Sequence, residues 1–240
     1  MLSLLNKNSN KYPNKYNKYL DIYLNKYRSI ATIITVAIAA IGLWLAMSTS
    51  ALAHHPLGGK TPSNFYEGLM SGFGHPILGL DHLVFIVGCG LLGAGMVRGL
   101  WLAPSFVMGT LLGVGVHLAA LNLPATEIVI ASSVVLFGAA MAWGGWQRRD
   151  NPLISDIVII CLGGVAGIFH GYAYGESIIG AEMGPLFAYL GGLTLIQLAI
   201  ATGLWWSFRQ LKQKFQSQYW FVLRFMGAAM GAIGMVFLIA

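Results

Sequence analysis

Six stretches of the chain are almost uninterrupted runs of apolar residues, at about 75–97, 100–122, 126–147, 153–174, 185–208 and 219–240. Each is near the roughly 20 residues a helix needs to cross a hydrocarbon core. Short breaks separate them: Arg98-Gly99, Asn122-Leu123-Pro124, Gln147 to Pro152, Tyr174 to Pro185, and Phe208 to Gln218. Connections of that length join the helices of a compact bundle. The pattern predicts an all-α fold, a polytopic membrane helix bundle of six transmembrane helices.

A further apolar run, Ile30 to Met47, precedes these, and before it residues 1–28 are rich in Asn, Lys and Tyr without any apolar period. That first segment reads as a disordered cytoplasmic stretch. The run ends in small residues and the A-x-A site Ala51-Leu52-Ala53, as a secretory signal does. The expected division is therefore a basic leader and signal peptide over 1–53 and a six-helix transmembrane domain over 54–240. The run is also close to the length of a spanning helix. Cut or uncut, the lysines hold its start in the cytoplasm and place His54 outside.

Beginning outside, the chain should carry its basic residues after the first, third and fifth spans. It supplies Arg98, then Arg148 and Arg149, then Arg209, Lys212 and Lys214, whereas the outward loops hold Glu127, Glu176 and Glu182 and no Lys or Arg. The processed N-terminus and the C-terminus are both expected outside the cytoplasm, in a multi-pass protein of a bacterial cell membrane.

Composition agrees. Of 240 residues, 57% are hydrophobic and 9% charged, against roughly 25% charged in soluble domains. The net charge is +6, but six basic residues against Asp21 put +5 of it in the first 28 positions. The basic balance belongs to the leader, so no nucleic-acid partner is expected. Cys89 and Cys161 lie in apolar runs, where thiols pack as small hydrophobes more often than they bridge. Many of the 31 glycines sit at small-xxx-small spacing, most clearly Gly163, Gly167, Gly171 and Gly175, then Gly109/Gly113 and Gly227/Gly231. Such ridges let helix backbones approach closely. The glycine-rich strings share composition but form no convincing internal repeat.

Ionisable groups in a membrane helix cost a few kcal/mol, about 3 for a charge at mid-bilayer, and mark functional sites. With the expected topology, His75, Asp81 and His82 lie in the outer half of the first span, and His117 and His170 lie near the outer ends of the second and fourth. All fall within about 10 Å of one boundary at a rise of about 1.5 Å per residue. Glu176 follows in the next outer loop, and His54 and His55 open the external segment, where they could capture a cation. In a regular helix, seven residues would hold His75 and His82 about 10 Å apart, too far for one ion. Gly74, Pro76 and Gly79 point to an irregular start, which is tolerated where backbone lines a cavity. Asp81 is a candidate ligand or the group that orients a ligand histidine. Imidazole with carboxylate suits Ni, Co, Zn, Cu or Fe better than Mg or Ca. Hydrogen bonding alone remains the alternative for any one histidine, His117 above all.

Gly74-His75-Pro76-Ile77-Leu78-Gly79-Leu80-Asp81-His82 resembles the H-P-x-x-G-x-D-H signature of the HupE/UreJ family of nickel/cobalt transporters. Phe169-His170-Gly171-Tyr172-Ala173-Tyr174-Gly175-Glu176 is similar, in loose form, to that family's second motif, F-H-G-x-A-x-G-x-E. The resemblance spans about residues 54–240. It implies uptake of Ni²⁺ or Co²⁺, with His75, Asp81 and His82 as metal-binding positions and His170 and Glu176 as contributors. The chain departs from the later motif where a second histidine often follows the Ala, since Tyr174 and Gly175 stand there, and its acid is displaced to Glu176.

The expected function is thus a permease, not an enzyme. Its partners are the divalent cation and the lipid bilayer, with self-association into a homo-oligomer left open. No tightly bound cofactor is expected; Ni²⁺ or Co²⁺ is the transported ion. The alternatives are an intramembrane metal-dependent hydrolase, for which no clear nucleophile or base is visible, and a metal sensor or assembly factor that binds without transport. No Walker motif is present, so ATP hydrolysis is not expected of the chain. Mass spectrometry of the membrane-extracted protein should find His54 at the N-terminus, and Ala53→Leu should leave the leader attached.

Overall fold

The computed structural model describes residues 60–144 and 152–239, all within the unit Thr49–Ala240. His54 and His55, the signal-like run and its cleavage site lie outside the described residues. The helices are α1 (Phe65–Leu78), α2 (Leu80–Gly95), α3 (Leu102–Leu118), α4 (Thr126–Trp143), α5 (Pro152–Gly175), α6 (Met183–Lys214) and α7 (Gln216–Ile239). Single 3-10 turns at Gly99–Trp101 and Glu176–Ile178 lead into α3 and follow α5. Among the described residues there is no strand, and the all-α expectation holds.

The irregular start expected at Gly74, Pro76 and Gly79 is a full break in the first span. Instead of one helix over 75–97, α1 and α2 meet at Gly79 with an 80° bend. Pro76 has no N–H for the ladder, and Gly79 takes an extended conformation, φ −73° and ψ 109°. The helix also begins ten residues earlier than its apolar run. The Asn64 side chain accepts a hydrogen bond from Glu67 N–H at 2.9 Å, while the Glu67 carboxylate accepts from Ser63 N–H at 2.8 Å. This reciprocal cap satisfies donors at the helix start. At the other end of the chain, α6 runs on through Lys214, so the basic residues expected in a loop are helical. Its 32 residues span about 48 Å, well beyond a hydrocarbon core of about 30 Å.

Five of these helices are long and apolar enough to cross a bilayer, and the bent pair α1–α2 counts as a sixth. Large apolar side chains cover the outside: Leu112, Leu136, Leu195 and Phe221 are each 59–64% exposed. A water-facing surface would not carry them so densely, so the solvent of this multi-pass membrane protein is lipid. Cys89 is buried as expected, whereas Cys161 is exposed on that outer face; both are free thiols.

Glycine sets the spacing inside. On α3, a Cβ added to Gly113 would strike the Ile168 carbonyl of α5, and one on Gly109 would strike that of Gly164. From the other side, Gly167 meets the Phe106 carbonyl and Gly171 that of Thr110. The period-four ridge of α5 is therefore a packing surface for α3, as its spacing predicts. Gly138 of α4 takes the same role against Gly227 and Gly231 of α7. Contacts advance together along α3 and α5, and along α1–α2 and α6, but in opposite senses along α4 and α7. Those directions are the ones that alternate crossings of a membrane require.

Gly113→Leu should wedge α3 from α5 and cost about 1–3 kcal/mol. Gly203→Leu, where nothing lies within 4 Å, should change stability by less than about 0.5 kcal/mol. Thermal unfolding of the detergent-solubilised protein tests the contrast.

Candidate metal site at the broken span

The bend changes the geometry of the first motif. His75 ends α1 and His82 lies in the first turn of α2, and their ring centroids are 5.9 Å apart instead of the two helical turns that a straight rod imposes. Gly79 makes the approach feasible, because a Cβ there would lie 2.6 Å from His82 Cδ2. Asp81 opens α2, where a carboxylate faces the positive end of the helix dipole. Its Oδ1 accepts a hydrogen bond from His82 N–H at 2.9 Å and lies 4.0 Å from His82 Nδ1. His75, His82 and His170 are wholly buried, and Asp81 nearly so.

α5 supplies the second wall. His170, Tyr174 and Ser177 follow one another at intervals of four and three, one face of a helix. His170 Nδ1 is 2.8 Å from His82 Nδ1, and its Nε2 is 3.1 Å from Ser133 Oγ on α4. His75 Nδ1 is 3.0 Å from both Ser177 Oγ and the Tyr189 hydroxyl of α6. The Tyr174 ring packs against both motif histidines, 5.0 Å from His75 and 4.4 Å from His82.

Following the protons assigns the tautomers. Ser133 Oγ donates to the Ile130 carbonyl at 2.7 Å, so its oxygen accepts from His170 Nε2–H. Neutral His170 then accepts at Nδ1, and His82 Nδ1 is the donor. Likewise Tyr189 O–H donates to the Tyr174 carbonyl at 2.8 Å, so its oxygen accepts from His75 Nδ1–H. In both His75 and His82 the ring lone pair falls on Nε2. Metal-binding histidines are oriented in this way, with the other ring nitrogen donating to a fixed acceptor. His170, with both nitrogens engaged, orients His82.

The other sequence candidates stand elsewhere. Glu176 is exposed; one residue further along, Ser177 turns inward to His75. His117 is half-buried, its ring stacked on Tyr172 at 4.4 Å, with Gly175 against its Cβ. Among the described residues no three His, Cys, Asp or Glu side chains are placed to hold one ion together. A cation at the two imidazoles would thus draw further ligands from hydroxyls or water.

Sequence reasoning passed over Ser133, Ser177, Tyr174, Tyr189 and Gln197. Hydroxyl residues are ordinary in membrane helices and gave no signal. Gln197, an amide in the middle of an apolar run, did offer one. It is fully buried, its Oε1 is 3.4 Å from Thr110 Oγ1, and its Nε2 has no partner.

The far end of α2 has the opposite character. Lys212 Nζ donates to the Gly95 carbonyl at 2.8 Å and Arg209 to the Met96 carbonyl at 3.4 Å, cations on a helix C-terminus as the dipole favours. Buried Asp156 accepts from Arg98 N–H at 2.8 Å. Thirteen residues along α2 separate Gly95 from His82, about 20 Å. Between the two ends sits a dry core headed by Phe85, whose ring lies 4.7 Å from His170, 4.9 Å from Phe106 and 4.6 Å from Phe137.

A profile described as HupE / UreJ protein matches residues 41–237. Protein HupE of Rhizobium leguminosarum bv. viciae is 27% identical over 176 residues, covering 71% of this chain and 82% of that relative. No solved structure matches the chain. With the profile match running through both histidine motifs and all six crossings, the chain belongs to the HupE/UreJ family.

Proposed function

We propose that this protein is a permease of the cell membrane that admits Ni²⁺ or Co²⁺ from the outer side. His75 and His82 meet the ion through Nε2, and Asp81 supplies the negative charge. His170 acts by holding His82 in register. Both termini of the processed chain face outward, and His54 and His55 form an external capture point. One observation carries the reading: two buried imidazoles from either side of a helix break lie 5.9 Å apart, each with its Nδ1 engaged by a fixed partner on another helix or turn.

The chemistry fits an intermediate transition metal. Neutral imidazole nitrogen with one carboxylate suits Ni²⁺ and Co²⁺, whereas Mg²⁺ and Ca²⁺ favour all-oxygen sites. Family membership supports the same substrate class.

Uptake of radiolabelled Ni²⁺ and Co²⁺ should be measured in cells lacking their other nickel and cobalt systems. His75→Ala, His82→Ala and Asp81→Asn should each lower uptake about tenfold or more, and His170→Ala should lower it less than His82→Ala. His117→Ala should retain most of it. Tight binding by the purified protein without accumulation in cells would replace the permease by a sensor.

A further inference from the structure

We infer that the Tyr174 hydroxyl is a working part of the cation site, accepting a hydrogen bond from a water that the bound ion retains. The inference rests on the permease reading above and adds a residue to it.

Three tyrosines among the described residues are fully buried: Tyr174, Tyr189 and Tyr219. Tyr189 donates to the Tyr174 carbonyl at 2.8 Å, and Tyr219 reaches the Leu91 carbonyl at 3.4 Å. Among the described residues the Tyr174 hydroxyl has no hydrogen-bond partner. Buried hydroxyls are almost always paired, and a bilayer offers no water from outside the protein to make up the deficit. Phenylalanine would fill the same volume without the orphan, so packing accounts for the ring and leaves the hydroxyl unexplained.

Its surroundings supply the explanation. The ring packs against both His75 and His82, the two histidines whose lone pairs fall on Nε2. It also shares a helix face with His170 and Ser177, both of which reach into the cluster. Because no three His, Cys, Asp or Glu side chains among the described residues converge there, an ion held by two imidazoles keeps part of its hydration. Water on a divalent cation is a strong proton donor and needs an acceptor when buried. The phenolic oxygen provides one.

The test is titration of the purified full-length protein with Ni²⁺ and, separately, Co²⁺, alongside thermal unfolding without metal, for wild type, Tyr174→Phe and His82→Ala. The expected result for Tyr174→Phe is metal affinity about tenfold to 100-fold weaker, with a metal-free melting temperature equal to or above that of wild type. Unchanged affinity would make the hydroxyl a bystander, and a lowered metal-free melting temperature would give it a structural partner; either outcome overturns the inference alone. Wild type that binds neither ion, or His82→Ala that binds as wild type does, would overturn the permease site and this inference with it.

Discussion

At the junction of α1 and α2 the backbone leaves the helical ladder inside a span that lipid cannot hydrate, and the surrounding polar groups are arranged so that this is tolerated. The chain rejoins the ladder quickly: Gly79 N–H donates to the His75 carbonyl at 3.1 Å, and the Gly79 carbonyl accepts from Leu83 N–H at 2.9 Å. Asp81 covers the first turn of the new helix by accepting from His82 N–H. The same break turns two histidines seven residues apart into neighbours. Structural and chemical needs therefore meet at one glycine, and a side chain there would collide with His82 before it disturbed anything else.

Close backbone packing lets other helices complete the arrangement. Gly167 and Gly171 seat α5 on α3 at near-contact distance, which fixes the rotation of α5 and aims the adjoining stripe of His170, Tyr174 and Ser177 at α2. Gly72 meets α6 at Tyr189 and Leu193, and so brings the Tyr189 hydroxyl to His75. A histidine oriented by two hydroxyls, and another by a histidine that is itself held by a serine, require five helices to keep their register. Small residues achieve this where helices cannot rely on exclusion from water.

Much of this was legible in the apolar pattern. Lengths of apolar runs gave the crossings, and the glycine period gave the face of α5 that packs. The ends were less legible, because helices α1 and α6 continue past their apolar stretches on caps and basic residues that hydropathy does not register. His75, Asp81, His82 and His170 were readable as polar residues with no place in lipid. Glu176 is exposed whereas Ser177 faces His75, because successive residues of the 3-10 turn that holds them point about 120° apart. Reading His170, Tyr174 and Ser177 as one helical stripe would have found the inward face. Ser133 and Tyr189 carried no comparable mark, since their roles come from helices that meet only in the folded bundle.

On the permease reading proposed above, charge balance favours so lean a site for a transported ion over a stored one. Two neutral imidazoles and Asp81 leave a divalent cation about one charge short of neutrality, and a low-dielectric interior makes that deficit costly. Retained water spreads the charge without fixing the ion. A third histidine bound directly would hold the metal more tightly and slow its departure, whereas conduction needs binding strong enough for entry and weak enough for release. In the proposed permease, the apolar cluster of Phe85, Phe106 and Phe137 beyond His170 would set the matching requirement on the side facing the cytoplasm. On the same reading a hydrated cation could cross it only if those rings part. Phe85 lies one turn beyond His82 on α2, so any rotation of α2 about the Gly79 joint that frees the histidine also shifts the ring that closes the way.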